Sequence, residues 1–173
     1  MSDRLRILGI DPGSRLTGFG VLDFMGDRPA YVASGAIRTP EGSFQERLKR
    51  IFVSVGEIVA EYRPHAVAIA SVFRARNASR ALKLGHARSA ALCATFAFEV
   101  DVFEDAPREI KLAVVGTGSA SKEQVQHMVT ALLQLDGVPS SDAADALAAA
   151  ICHGHQRQLR SRLDTRGRVA RLQ

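Results

Sequence analysis

Three aspartates stand apart from the surface charges of this chain because their neighbours are apolar or very small. Asp11 follows the apolar run 7–10, so it ends a predicted strand at the sheet edge where the clefts of α/β proteins form. Asp142 and Asp145 are three residues apart in a predicted helix and therefore share one of its faces. Most residues around this pair are alanines, which let a helix approach a sheet closely.

Carboxylates on a strand end and on a nearby helix are suited to hard divalent cations, which take oxygen ligands. Mg²⁺ is typically held by a few carboxylates together with a substrate phosphate. Two such ions about 4 Å apart activate a water molecule and stabilise the leaving oxygen in phosphodiester cleavage. Simpler explanations exist, since an aspartate at a strand end is often a turn residue and acids in a first helical turn favour the helix dipole. The spacing alone indicates metal-dependent phosphodiester chemistry without specifying it.

Positive charge is concentrated in two parts of the chain. Lysine and arginine number 23 against 18 acids, which gives a net charge of +5 and a pI near 9.8. This surplus favours a polyanionic partner. No acid interrupts the first group of cations, which we interpret as phosphate-contacting rather than as a solvated helix face: Arg74, Arg76, Arg80, Lys83 and Arg88. The second group, within 157–173, is interpreted as a loose basic tail.

The elements that must position these side chains follow from hydrophobic periodicity. Five strands are predicted, over residues 6–11, 16–23, 30–39, 66–70 and 100–103. Five helices are predicted, over residues 43–62, 77–98, 107–115, 121–135 and 142–155. The first three strands have short connections and predict an antiparallel meander, whereas strand and helix alternate afterwards. The order predicts an α/β fold with a mixed five-stranded sheet flanked by helices.

Size and composition limit the class of protein. A chain of 173 residues suits one well-cored domain, which we place at 1–156, followed by the basic tail. No apolar run approaches the ~20 residues of a membrane span, and the first residues lack a secretory pattern. Cys93 and Cys152 have no framework spacing. A cytoplasmic chain with reduced thiols and no membrane partner is expected.

Six segments resemble the RuvC family of Holliday-junction resolvases, and they occur in the family's order between about residues 5 and 155. They are 7–21 (ILGIDPGSRLTGFGV), 34–39 (SGAIRT), 81–88 (ALKLGHAR), 114–119 (VVGTGS), 124–128 (QVQHM) and 142–147 (DAADAL). The resemblance implies a ribonuclease-H-like fold and Mg²⁺-dependent resolution of four-way DNA junctions by paired symmetric nicks, in recombination and DNA repair. It also implies two Mg²⁺ ions per subunit, with Mn²⁺ as a substitute, and RuvA and RuvB as partners.

The resemblance further implies a homodimer, because two symmetric nicks need two active sites. We expect part of the interface on the predicted helix 77–98. Its small residues would allow close helix contact: Ala81, Gly85, Ala90, Ala91 and Ala94.

One position departs from the family pattern. Asp11, Asp142 and Asp145 match three of the family's four metal ligands, but the fourth should be a glutamate at the end of the central strand. The run 68–73 (AIASVF) has Ala70 in that place. A tolerated natural loss and a deliberate Glu→Ala substitution would both leave this pattern, and the intact remaining motifs favour the substitution. We therefore expect impaired cleavage, with a non-cutting junction-binding protein as the alternative.

Four other residues are assigned roles through the resemblance. Phe73 resembles the aromatic that enters the junction crossover, where its ring can stack on an unpaired base; a buried core phenylalanine is the alternative. Asn77 joins the first cation group as a DNA-binding residue. Lys111 and Lys122 match lysines near the scissile phosphate, although either alone reads as a solvated side chain.

Two further patterns are discounted. Cys152, His153 and His155 do not have the spacing of a standard four-ligand zinc site. The segment 11–18 also resembles the phosphate loop of actin-like sugar kinases, but those proteins need two such domains and a much longer chain.

Overall fold

The computed structural model describes residues 4–71 and 77–170, which form one five-stranded sheet with helices on both faces. The strands are β1 (Leu5–Asp11), β2 (Leu16–Met25), β3 (Arg28–Arg38), β4 (Ala66–Ala70) and β5 (Asp101–Asp105). The helices are α1 (Phe44–Tyr62), α2 (Ala78–Cys93), α3 (Pro107–Val115), α4 (Lys122–Leu132) and α5 (Ser141–Ala170). None of these helices combines the length and apolar composition needed to cross a membrane.

The sheet has the order β3-β2-β1-β4-β5. β1, β2 and β3 form the predicted antiparallel meander, while β4 and β5 run parallel to β1. Ile10 pairs with Ile69, so Asp11 and Ala70 come next on neighbouring strands. Because these strands are parallel, both residues lie at the same edge of the sheet. The predicted mixed five-stranded fold is therefore confirmed.

Two apolar layers cover the sheet. α1 and α2 pack on the face that carries Leu8 and Ile69. α3, α4 and α5 pack on the opposite face with Ile7, Ala68 and Ala70. Since side chains alternate along a strand, the short apolar run of β4 is buried on both faces, as expected for a central strand.

α5 lies directly on the sheet because glycines face it on β1 and β2. A Cβ added to Gly9 would overlap the carbonyl oxygen of Ala146, and one added to Gly18 would overlap the carbonyl oxygen of Asp142. Alanines supply the facing surface of the helix, and those between positions 143 and 150 are at most 2% exposed. Small residues on both elements therefore fix the height of α5 above the strand that carries Asp11.

Replacing one of these glycines should weaken the packing of α5 against the sheet. We expect Gly18→Ala to lower the free energy of unfolding by about 1–3 kcal/mol, because the new methyl group overlaps backbone atoms of the helix. Gly56→Ala in α1 is the matched control, since nothing lies within 4 Å of its added Cβ. The control should be neutral or stabilising by about 0.5–1 kcal/mol. Urea unfolding measures both, and equal midpoints for the two variants would contradict this account of α5.

Most predicted boundaries agree with the structure to within about two residues, but α2 is shorter than predicted. It ends at Cys93 rather than near residue 98. The backbone N–H and the hydroxyl of Thr95 both bond to the carbonyl oxygen of Leu92, at 3.0 and 2.7 Å. This tighter turn ends the helix without the glycine or proline that would have marked a boundary in the sequence.

α5 is longer than predicted, since it continues past residue 155 to Ala170. Gly154 does not interrupt it, because this glycine provides the space for the ring of Phe24, which an added Cβ would overlap. The predicted boundary between a domain at 1–156 and a tail at 157–173 falls inside this helix. The division into domain and tail stays a prediction.

Candidate active site

An open cleft of about 770 Å³ lies at the sheet edge where β1 and β4 end. It brings together four of the predicted ionisable site residues and the departing position: Asp11, Asp145, Lys111, Lys122 and Ala70. Asp142 does not line the cleft, but its charge raises the pKa of both other aspartates. The side chains come from two strands and three helices, so the fold rather than sequence proximity assembles them.

Asp11 is held where its ionised form is disfavoured. Burial raises its pKa to about 7, and the negative charges of Asp145 and Asp142 act in the same direction. Lys122 opposes these effects without cancelling them. A nearby cation would therefore be stabilised by Asp11, because it would offset both the burial and the mutual repulsion of the carboxylates.

Lys122 forms an ion pair with Asp145, the second carboxylate of the cleft. Its Nζ is 3.4 Å from Oδ2 of Asp145. Burial raises the pKa of Asp145, while the Lys122 ammonium lowers it in part. For Lys122 itself, burial is the largest single effect and lowers the pKa, but the charge and hydrogen bond of Asp145 together with the charges of Asp11 and Asp142 outweigh it, so the pKa is raised and the side chain remains protonated.

The donor atoms of this cleft fit a hard divalent cation. Asp11 and Asp145 offer carboxylate oxygens, and Mg²⁺ is commonly bound by one or two carboxylates plus substrate phosphate. Within the part of the chain that the structure describes, no group of three His, Cys, Asp or Glu side chains is arranged to hold one ion. Ala70 adds only a methyl group to the cleft. The cleft therefore offers two carboxylates to a cation.

A family model for the crossover junction endodeoxyribonuclease RuvC matches residues 7–153. The chain belongs to the RuvC family. The RuvC of Chromohalobacter salexigens is 53% identical over 162 residues, which cover 94% of this chain and 87% of that protein. The RuvC of Methylococcus capsulatus is 54% identical over 158 residues, covering 91% and 95% of the two chains.

Solved structures agree with this membership. Thermus thermophilus RuvC, solved in complex with a Holliday junction substrate, superposes with a TM-score of 0.83 at 35% identity, covering 90% of this chain and 96% of that one. The yeast mitochondrial Holliday junction resolvase Ydc2 gives a TM-score of 0.66 at 12% identity, covering 91% and 82% of the chains. The second likeness concerns the fold alone, which is ribonuclease-H-like.

Ala70 leaves the expected glutamate position of the RuvC pattern without an oxygen donor. Besides Asp11 on β1, the carboxylate next to it in the sheet is Asp105, its register partner on β5. Asp105 is buried against Gln156 of α5 and does not line the cleft, and burial raises its pKa. This neighbouring acid therefore does not take over the position of the glutamate.

The predicted DNA-binding residues fall partly outside the described part of the chain. Phe73, Arg74 and Arg76 lie outside the described residues. Asn77 caps α2, where its Oδ1 accepts a hydrogen bond from the backbone N–H of Ser79 at 2.8 Å. The structure thus gives Asn77 a role in starting the helix, and its contact with DNA stays a prediction.

The remaining cations of this group lie on α2 in two environments. Arg80 and Lys83 are exposed on the first turns of the helix. Arg88 is half-buried and forms an ion pair with Glu104 of β5. Its charge is therefore already compensated within the protein, whereas those of Arg80 and Lys83 face solvent.

Two polar side chains that line the cleft, Arg108 and Ser71, were not predicted from the sequence. Arg108 lines the cleft one helical turn before Lys111, and the predicted helix 107–115 already placed these two residues on one face. Ser71 is buried in the cleft wall, and its hydroxyl has no hydrogen-bond partner among the described residues. The spacing on α3 could have identified Arg108, but no pattern marked Ser71.

The discounted zinc pattern falls in the core under β5. Cys152 is buried, and burial raises the pKa of its thiol to about 12. The ring of His153 stacks on Phe103 with centroids 4.2 Å apart. Burial, with Arg157 and Arg160 nearby, lowers the pKa of His153 to about 4, so this imidazole is neutral at pH 7.

Proposed function

We propose that this chain is a structure-selective endonuclease for four-way DNA junctions whose cutting step is impaired at Ala70. The observation that carries the proposal is the single cleft in which Asp11, Asp145, Lys111 and Lys122 meet beside that alanine. The RuvC relatives named above are crossover junction endodeoxyribonucleases, and T. thermophilus RuvC was solved with a Holliday junction substrate. By this similarity we place the reaction in recombination and DNA repair.

Each side chain of the cleft has a distinct part in the proposed reaction. Asp11 and Asp145, supported by Asp142, would hold Mg²⁺ or Mn²⁺, which when bound supplies a Lewis acid and lowers the pKa of water. Lys111 and Lys122 lie beside these carboxylates and would neutralise the scissile phosphate. A site completed by glutamate would hold two ions, whereas the ligands present here suit one.

The residues proposed to bind the junction are different from those proposed to cleave it. Arg80 and Lys83 on α2 are exposed and form no ion pair among the described residues, so they would contact phosphates, and Arg74 and Arg76 would add to this charge. Phe73 would stack on an unpaired base at the crossover. Loss of the glutamate should therefore weaken cleavage much more than binding, which also leaves a non-cutting junction-binding protein as the second candidate.

We further propose a homodimer that works with RuvA and RuvB. The predicted interface on α2 needs revision, because Ala91 and Ala94 are buried in the core of their own chain and cannot contact a second copy. The exposed part of the helix lies nearer its start, at Ala81 and Leu82. This part presents a small and an apolar residue to a partner helix.

Binding to matched DNAs tests the proposed substrate. A four-way junction should bind at least about tenfold more tightly than duplex of the same length at moderate salt, because only the junction offers phosphates in the geometry of two paired clefts. The logarithm of affinity should fall linearly with that of salt, with a slope of about 0.9 per phosphate contacted. Titration should reach saturation at two chains per junction. Equal affinity for junction and duplex would refute the assigned substrate.

A further inference from the structure

A second cavity, of about 460 Å³, adjoins the loop after β1 and is lined by three arginines that the active-site cleft does not use. Arg15 and Arg38 are brought together by the β2–β3 ladder, in which Leu16 pairs with Arg38. The backbone N–H of Thr39 also donates to the carbonyl oxygen of Arg15 at 3.1 Å. Arg47 reaches the same cavity from the first turns of α1.

The charge of this arginine cavity is largely uncompensated. Glu41 is the one acid among its lining residues, against three guanidinium groups. In the described segments, Arg15, Arg38 and Arg47 form no ion pair with a carboxylate. Guanidinium groups match the geometry of phosphate oxygens with two parallel hydrogen bonds, so a concave group of them selects a phosphate-like anion.

Arg47 packs against an aromatic ring, and one of its hydrogen-bond donors has no partner among the described residues. Its guanidinium lies 5.5 Å from the centre of the Phe44 ring. Its Nε is buried and has no hydrogen-bond partner within 4–71 and 77–170. A buried donor without a partner is costly, and a movement of the Arg47 side chain toward an anion in the cavity that it lines would remove that cost.

The cavity lies near both the cleft and α2, and α2 also borders the cleft through Leu84. Arg15 is four residues from Asp11, so their Cα atoms are at most about 14 Å apart. On the other side, the Phe44 ring contacts His86 of α2 with centroids 5.8 Å apart. DNA bound across α2 and the cleft would therefore have this cavity within reach.

We propose that the arginine cavity binds one backbone phosphate of the DNA strand that enters the active-site cleft. This inference rests on the proposed function, because it takes junction DNA as the substrate. The site fixes the position of the strand relative to Asp11 and reads no base, since phosphate contacts set register and not sequence. From the distance to Asp11, the bound phosphate lies within about five nucleotides of the cut position.

Salt dependence of binding tests the charge of the cavity. An Arg15→Ala/Arg38→Ala variant should lower the slope against salt by about 0.9 per chain, or about 1.8 for two chains on one junction, and weaken junction binding by about five- to tenfold per chain at 0.1 M salt. Arg47→Gln keeps the packing stem and should act in the same direction. Arg28→Ala, at the opposite end of the meander, is the control and should leave the slope unchanged. Unfolding midpoints for all variants confirm that each is folded.

Junctions that carry one uncharged methylphosphonate identify the phosphate. One modification within five nucleotides of the cut should weaken binding by the parent protein but not by the double-arginine variant. The proposal would be overturned if the arginine variants had the same salt slope as Arg28→Ala. It would also be overturned if every methylphosphonate that weakens binding by the parent protein weakened binding by the double-arginine variant equally. Salt slopes measured on duplex as well as on junction DNA distinguish the two proposals. Equal affinity for the two DNAs would refute junction DNA as the preferred substrate. Salt slopes that the arginine substitutions leave unchanged on both DNAs would refute phosphate binding by the cavity.

Discussion

Ala70→Glu is expected to raise the rate of junction cleavage by about 10²–10³-fold over the chain as it stands. The substitution adds a carboxylate beside Asp11 to the lining of a cleft of about 770 Å³, which is open to the longer side chain. A fourth carboxylate allows a second ion to stabilise the attacking water or the leaving oxygen. Such stabilisation is worth several kcal/mol, and each 1.36 kcal/mol changes the rate tenfold.

Ala70→Gln is the matched control for this experiment. The amide has the size of the glutamate but lacks its charge, so it should leave cleavage close to the slow rate of the parent. Single-turnover cleavage of a labelled four-way junction with Mg²⁺ and with Mn²⁺ measures all three proteins, and junction affinity should differ little among them. Rapid Mg²⁺-dependent nicking by the parent chain would show that position 70 is not the ligand position.

Asp11→Asn should stabilise the metal-free protein at pH 8 and have little effect at pH 4. The pKa of Asp11 is raised to about 7 in the folded state, chiefly by burial and then by the charges of Asp145 and Asp142. In the unfolded chain the carboxyl has an ordinary pKa near 3.9. A raised folded-state pKa favours the protonated form, so its stabilising contribution is present below about pH 4 and is lost as the pH rises to 7.

The size of this effect follows from the same shift. Three pKa units correspond to about 4 kcal/mol at most, which the asparagine variant should recover at pH 8. Asp136→Asn, at an exposed loop position after α4, is the control and should show no such difference. Urea unfolding between pH 4 and pH 8 in the presence of a chelator measures it. If the difference in unfolding free energy between Asp11→Asn and the parent does not change with pH, the proposed environment of Asp11 is contradicted.

Local signals were sufficient for most of the fold. The apolar run of β4 and the proline start of α3 determine those elements, and both have the bounds that the sequence predicts. The end of α2 was not predictable, because it depends on hydrogen bonds of Thr95 rather than on a breaking residue. The continuation of α5 through Gly154 depends on the ring of Phe24, a contact between distant parts of the chain.

In the candidate site, too, some features follow from local sequence and others depend on contacts between distant parts of the chain. The spacing of Asp142 and Asp145 and the strand end at Asp11 predicted carboxylates near one another. The structure adds that Asp145 and Asp11 line the cleft, while Asp142 influences them by its charge alone. The contact of Lys122 with Asp145 joins two helices whose relative placement no local pattern specifies. The arginine cavity likewise needs α1 to fold against the end of β3.

The close seat of α5 on Gly9 and Gly18 has a consequence for how such a gene would change over generations. Substitutions at these glycines damage the fold itself and are removed whether or not the protein cuts DNA. Position 70 is different, because its methyl group lines the cleft and does not set the height of α5 above the sheet. A lineage released from selection for cleavage would therefore lose the carboxylate at position 70 long before either glycine. Its members would keep the family's architecture, and sequence searches would continue to name them as nucleases.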